Sequence, residues 1–169
     1  MTNVFIRGDG QVSATGATNL TLLSSSDFIS AIDTGQYPSR GIFLGISKTK
    51  LNDYFSSLID LGTNSKDSVD YPDFAHKLTT EIIKNDGSLG ILICGTGVGM
   101  SIAANRSEGI RAGLVNSVEV TRLIRQHNDA NVLVIPGRFM EVEEAKNCVK
   151  TFIETQFEKG RHKQRIEKI

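Results

Sequence analysis

The chain has 169 residues, enough for one domain of ordinary size and too few for two full ones. Acidic and basic residues balance at 19 each, which argues against a general nucleic-acid or anionic-membrane binder, since both partners reward excess positive charge. No run approaches the roughly 20 apolar residues of a membrane span, Met1 to Gly16 lacks the basic-then-apolar order of a signal peptide, and two cysteines make neither a disulfide framework nor a metal motif; a soluble cytoplasmic protein without a metal centre is expected.

From Met1 to Arg40 the sequence is rich in Ser, Thr, Gly and Asn, with weak apolar pieces such as Val4-Phe5-Ile6 and Leu20-Thr21-Leu22-Leu23. It reads as an extension with little local structure, ahead of a domain over 41–169. Ile42 to Ile46 predicts a buried strand, Leu51 to Leu58 a helix, and Ile59-Asp60-Leu61 a short strand ending at Gly62. Pro72 suits a first helical turn, and Phe74, Ala75, Leu78, Ile82 and Ile83 follow at helical spacing. Leu89 to Cys94 predicts a strand, Gly99 to Asn105 a helix and Arg111 to Val115 a strand. Ser117 to Gln126 then predicts a helix, Asn131 to Ile135 a strand and Val142 to Phe157 a helix. Strands alternating with helices imply an α/β fold: a three-layer αβα sandwich on a doubly wound, mostly parallel, Rossmann-like sheet. Ligands in such sheets bind beyond the carboxyl ends of the strands.

Residues 91 to 101, Ile-Leu-Ile-Cys-Gly-Thr-Gly-Val-Gly-Met-Ser, put Cys94 at one of those ends, where the strand runs into a glycine-rich turn that opens a helix. Unpaired backbone N–H groups of such a turn favour negative charge above them, so a thiolate base and an oxyanion are both favoured there. Gly95, Gly97 and Gly99 give G-x-G-x-G instead of G-x-G-x-x-G, and the following strand ends at Asn116 where a ribose-binding carboxylate is needed. No Gly-Lys-Ser/Thr follows the turn either, which removes the Walker reading. What remains is a cradle for a small anion or a developing oxyanion.

At the carboxyl end, Gly160-Arg161-His162-Lys163-Gln164-Arg165 sets two guanidinium groups at i and i+4, on one face if the stretch is helical, suited to gripping one phosphate. A solvated basic terminus fits the same spacing. In Gln126-His127-Asn128-Asp129-Ala130-Asn131, a histidine closes a helix; histidine both gives and takes a proton at cellular pH, though a lone one here also fits a helix cap. Taken singly, Asn128 and Asn131 also fit turn formers, Thr96 a satisfier of turn backbone, and Cys94 a small buried hydrophobe.

From about Ile42 to Ile169 the chain resembles the ribose-5-phosphate isomerase B group of sugar-phosphate isomerases, a family that also includes galactose-6-phosphate isomerase. The resemblance is carried by Ile59-Asp60-Leu61-Gly62-Thr63, Val69-Asp70-Tyr71-Pro72-Asp73-Phe74-Ala75, Ile91 through Asn105, Gly109-Ile110-Arg111-Ala112, Gln126 through Leu133, and Gly160-Arg161-His162 with Arg165. It implies interconversion of D-ribose 5-phosphate and D-ribulose 5-phosphate through a cis-enediol, without metal or organic cofactor. It further implies ring opening by His127 assisted by Thr96, and proton transfer between C2 and C1 by Cys94. Donors to the enediolate would come from the backbone between Gly95 and Ser101, including Gly97 and Gly99, with Asn128 on the same oxygen. Arg138, Arg161 and Arg165 match phosphate-holding positions, and Tyr71 one that lines the sugar. The family's shared sites imply a homodimer or dimer of dimers, with His127 and Cys94 from different chains.

The resemblance breaks at one corner. The family's first strand leads into an Asp-His pair, whereas Ile42-Phe43-Leu44-Gly45-Ile46 here runs into Ser47-Lys48-Thr49-Lys50, and the path from Ser47 to Asp60 is short for a helix with its loops. A six-carbon sugar-phosphate isomerase and a non-catalytic sugar-phosphate-binding protein therefore stand as alternatives.

Overall fold

The computed structural model describes residues 4–6, 12–14, 39–45, 57–62 and 68–169. In chain order its elements are β1 (Val4–Ile6), β2 (Val12–Ala14), β3 (Ser39–Gly45), β4 (Ser57–Asp60), α1 (Tyr71–Lys84), β5 (Leu89–Cys94) and α2 (Val98–Ala104). They continue with β6 (Ala112–Leu114), α3 (Val118–Asn128), β7 (Val132–Pro136), α4 (Val142–Glu154), a 3-10 turn at Gly160–His162 and α5 (Lys163–Ile166).

Every residue of β5 and of β7 is buried, because helices cover both faces of these strands. Alternation along the strand then divides the core. Leu89, Ile91 and Ile93 pack with Leu133, Ile135, Cys148, Val149 and Phe152 on the side of α3 and α4. Leu92 and Cys94 pack with Phe74, Leu78, Met100, Val132 and Val134 on the side of α1 and α2. The expected αβα layering follows from this parity, and each fully buried Leu, Ile or Phe adds about 1.5–3 kcal/mol of transfer free energy to it.

The five-stranded sheet has the order β4-β3-β5-β7-β6. β5, β7 and β6 form its parallel part, with Cys94 opposite Pro136 at the carboxyl edge. β3 runs antiparallel to both β5 and β4, so four strands point one way and one is reversed. Ser57 and Leu58, read from the sequence as the end of a helix, belong instead to β4, which pairs Leu58 with Leu44. Within 1–40, Val4–Ile6 and Val12–Ala14 form a two-stranded antiparallel pair. Leu20 to Leu23, the Ser47–Lys50 corner and residues 51–56 of the expected helix lie outside the described residues. No helix among the described residues is long and apolar enough to cross a membrane.

Candidate active site

The carboxyl edge of the sheet gathers the first group of expected residues. Cys94 ends β5 with 9% of its surface exposed, and its carbonyl accepts from the Gly137 amide at 2.9 Å. One residue on, the Gly95 carbonyl accepts from the Arg138 amide at 3.0 Å. These two bonds zip the turn after β5 to the turn after β7. They also bring the Arg138 side chain over Gly95, where an added Cβ would lie 3.2 Å from Arg138 Nε. α1 runs antiparallel to β5, so its first residue returns to the same edge. Tyr71 lies so close to Gly99 that a Cβ there would meet its ring at 2.4 Å and its hydroxyl at 2.6 Å. Gly99 is thus required by the close approach of an aromatic ring to a helix backbone.

Gly97 is required for a different reason. It caps α2 at φ 73°, a left-handed conformation, and a Cβ there would come within 2.4 Å of Leu114 Cδ1. Gly97→Ala therefore combines backbone strain with a clash, and we expect a loss of about 1–3 kcal/mol, read as a lower urea midpoint at unchanged slope.

The turn's donors are fewer than the sequence implied. The Ser101 amide is engaged with the Gly97 carbonyl at 3.0 Å, and its hydroxyl lies 3.5 Å from the Ala112 carbonyl oxygen. The Val98 amide donates to Thr96 Oγ1 at 3.3 Å, so Thr96 does satisfy turn backbone while its hydroxyl hydrogen stays available. The Gly97 and Gly99 amides make no hydrogen bond to another described residue and stay open to an anion above the turn.

His127, Asn128, Arg161 and Arg165 form a second group at the opposite edge. His127 and Asn128 end α3 just before β7 begins, whereas Cys94 pairs with the last residue of β7. Four strand steps of ~3.3 Å put about 13 Å of sheet between the two levels. His127 does not cap its helix. Arg111 does so, donating from Nε to the Asn128 carbonyl at 3.0 Å and to the Asp129 carbonyl at 2.9 Å, while Asp129 takes the left-handed turn at φ 45°. Asn131 is a pin and more than a turn former, accepting from the Arg111 amide and donating to the Gly109 carbonyl, both at 2.8 Å.

Freed from capping, the His127 ring stacks on His162, with centroids 4.1 Å apart and planes 6° from parallel. Glu158 Oε2 lies 3.9 Å from His127 Nε2 and 4.0 Å from His162 Nε2. Burial, then the neighbouring charges of His127, Arg161 and Arg165, hold the buried His162 below the ordinary histidine range, against the opposing pull of Glu158. Glu158 is the residue the sequence reading missed. Its i,i+4 spacing to His162 is visible, but its placement against His127 depends on how the segment after α4 returns to α3. A hollow of about 360 Å³ between the α1–β5 turn and Arg111, Arg125 and Asp129 contains neither Cys94 nor His127 in its lining. Its arginines are already engaged with Asp129.

A cysteine beside a glycine turn at one edge, with a histidine and two guanidinium groups at the other, lie in a chain with clear likeness to known proteins. The ribose/galactose isomerase model matches residues 46–169. The chain belongs to this family. It is 50% identical over 113 residues to a probable ribose-5-phosphate isomerase B of Mycoplasma pneumoniae, covering 66% of this chain and 74% of that relative. Among solved structures, a ribose 5-phosphate isomerase from Thermotoga maritima is 54% identical with a TM-score of 0.62, covering 63% of this chain and 74% of that one. Ribose-5-phosphate isomerase B from Mycoplasma genitalium, solved with ribulose-5-phosphate bound, is 46% identical with a TM-score of 0.64, covering 68% of this chain and 76% of that one. Membership in this isomerase family and the α/β fold agree with what the sequence implied.

Proposed function

We propose that this chain interconverts D-ribose 5-phosphate and D-ribulose 5-phosphate in a site assembled from two copies. The observation that carries the two-copy reading is the separation of Cys94 from His127 by the width of the sheet. A dimer that sets the carboxyl edge of one copy against the amino edge of its partner unites the groups, and a two-fold axis makes two equivalent sites. An apolar rim at the Cys94 edge supports such a contact: Val98, Ile102 and Phe139 are 49%, 56% and 76% exposed.

In this site His127 moves a proton to open the furanose, with the Thr96 hydroxyl assisting. The Cys94 thiolate then takes the proton from C2, and the electron pair of that bond forms the C1–C2 double bond as charge develops on O1. The Gly97 and Gly99 amides, aided by the partner's Asn128, hold that charge. Return of the proton from Cys94 to C1, with transfer of the O2 proton to O1, completes the ketose. Hydrogen leaves and returns as a proton, so this route calls for no redox cofactor. Arg138, Arg161 and Arg165 hold the phosphate, and Tyr71 lines the sugar. A charged sugar phosphate does not cross membranes unaided, and the enzyme works beside its substrate in the cytoplasm.

Incubating the purified chain with ribose 5-phosphate and following ribulose 5-phosphate tests the reading. Turnover supports it, whereas tight binding without turnover leaves a sugar-phosphate-binding protein. Preferential turnover of allose or galactose 6-phosphate moves the assignment to six-carbon sugars.

A further inference from the structure

The segment that follows α4 is fastened to α3 by its backbone. Arg125 Nε donates to the Thr155 carbonyl at 3.2 Å, and the Glu158 amide donates to the Gln126 carbonyl at 3.1 Å. Glu158 is thereby fixed at the residue adjoining His127, independently of what either side chain does. Its carboxylate has one oxygen facing both Nε2 atoms of the stacked histidines. The other charged groups nearby are committed elsewhere or face His162: Arg125 and Arg111 are paired with Asp129, and Arg161 and Arg165 flank His162 from its own segment.

We infer that Glu158 is a positioning residue for His127: its carboxylate draws the imidazole proton to Nε2, and the His162 ring, stacked behind, holds the plane, so that Nδ1 is the atom presented to the sugar. A neutral imidazole carries one proton on either nitrogen, and an adjacent carboxylate decides which. At 3.9 Å the carboxylate and Nε2 are at ion-pair distance. His162 suits a platform because burial disfavours its cationic form, so it does not repel a transient charge on His127. This inference rests on the ring-opening role proposed above for His127.

The test uses the full chain labelled with 15N-histidine, as wild type and as Glu158→Gln, with circular dichroism and a thermal melt confirming the fold. With glutamine, the ring-nitrogen shifts of His127 are expected to move from a single tautomer toward an average of two. The kcat for ribose 5-phosphate falls roughly ten-fold while KM stays within about two-fold. Glu158→Asp, which keeps the charge one methylene back, recovers part of both, and it carries the same test if the glutamine variant does not fold. An unchanged nitrogen pattern overturns the inference, as does a rise in KM alone, which would put Glu158 with the phosphate grip. His127→Ala separates this outcome from failure of the underlying role. Wild-type turnover in that variant removes histidine from ring opening, while the nitrogen shifts still report whether the carboxylate sets the imidazole.

Discussion

Replacing Cys94 by alanine lowers kcat for ribose 5-phosphate by about 10³-fold, the usual scale for loss of a positioned general base, with KM changed only a few-fold. The expectation follows from where the thiol sits. Cys94 ends a buried strand, its backbone is fastened to Gly137, and two glycine amides beside it are left as donors. The methyl group of alanine keeps the strand and the turn, so the phosphate grip and the sugar's resting place persist. What goes is the atom that removes the C2 proton. In deuterated water the same variant stops incorporating solvent deuterium at C1 of the ketose, which ties the loss to carbon-acid chemistry and not to ring opening. Full turnover in Cys94→Ala would falsify the assignment and turn the search for the base to another side chain at the carboxyl edge.

Mixing two inactive variants restores activity. In a 1:1 mixture of Cys94→Ala and His127→Ala chains that exchange freely, half the dimers are mixed, and each mixed dimer has one site with both side chains native and one with neither. About a quarter of wild-type activity should therefore return. A site built from Cys94 and His127 of the same chain predicts none, because every chain then lacks one partner. The arithmetic makes the experiment decisive without knowledge of the interface. It follows from topology: the end of α3 and the end of β5 occupy opposite edges of the sheet. Recovery measured against subunit concentration also gives the dimer's dissociation constant.

Periodicity in the sequence located most of the sheet and its helices, because β5 and β7 are buried on both faces and read as continuous apolar runs, while α1 and α4 recur at helical spacing. It failed at Ser57 and Leu58, where pairing with β3 overrode a local helical pattern. The carboxyl-edge group was legible for a local reason: strand, cysteine, glycine turn and helix are contiguous. The amino-edge group was legible only residue by residue. Nothing in the spacing of residues 126–131 and 158–165 says that they meet, since the contact is made by α4 carrying the chain back across the sheet. The placement of Glu158 is silent in the sequence for that reason, and so is the work of Arg111 as the cap of α3.

The division of the core by strand parity also separates the two thiols. Cys148 is fully buried among Leu133, Phe152 and their neighbours, and burial pushes its thiol above the ordinary cysteine range. Cys94 borders the turn at the sheet's edge. Cys94, 9% exposed against 0% for Cys148, is therefore the thiol an alkylating reagent should reach first in the folded protein, and label taken up per chain should plateau at about one equivalent. A saturating sugar phosphate should slow that uptake. Mass spectrometry can then count occupied sites directly, with the second thiol serving as an internal gauge of unfolding.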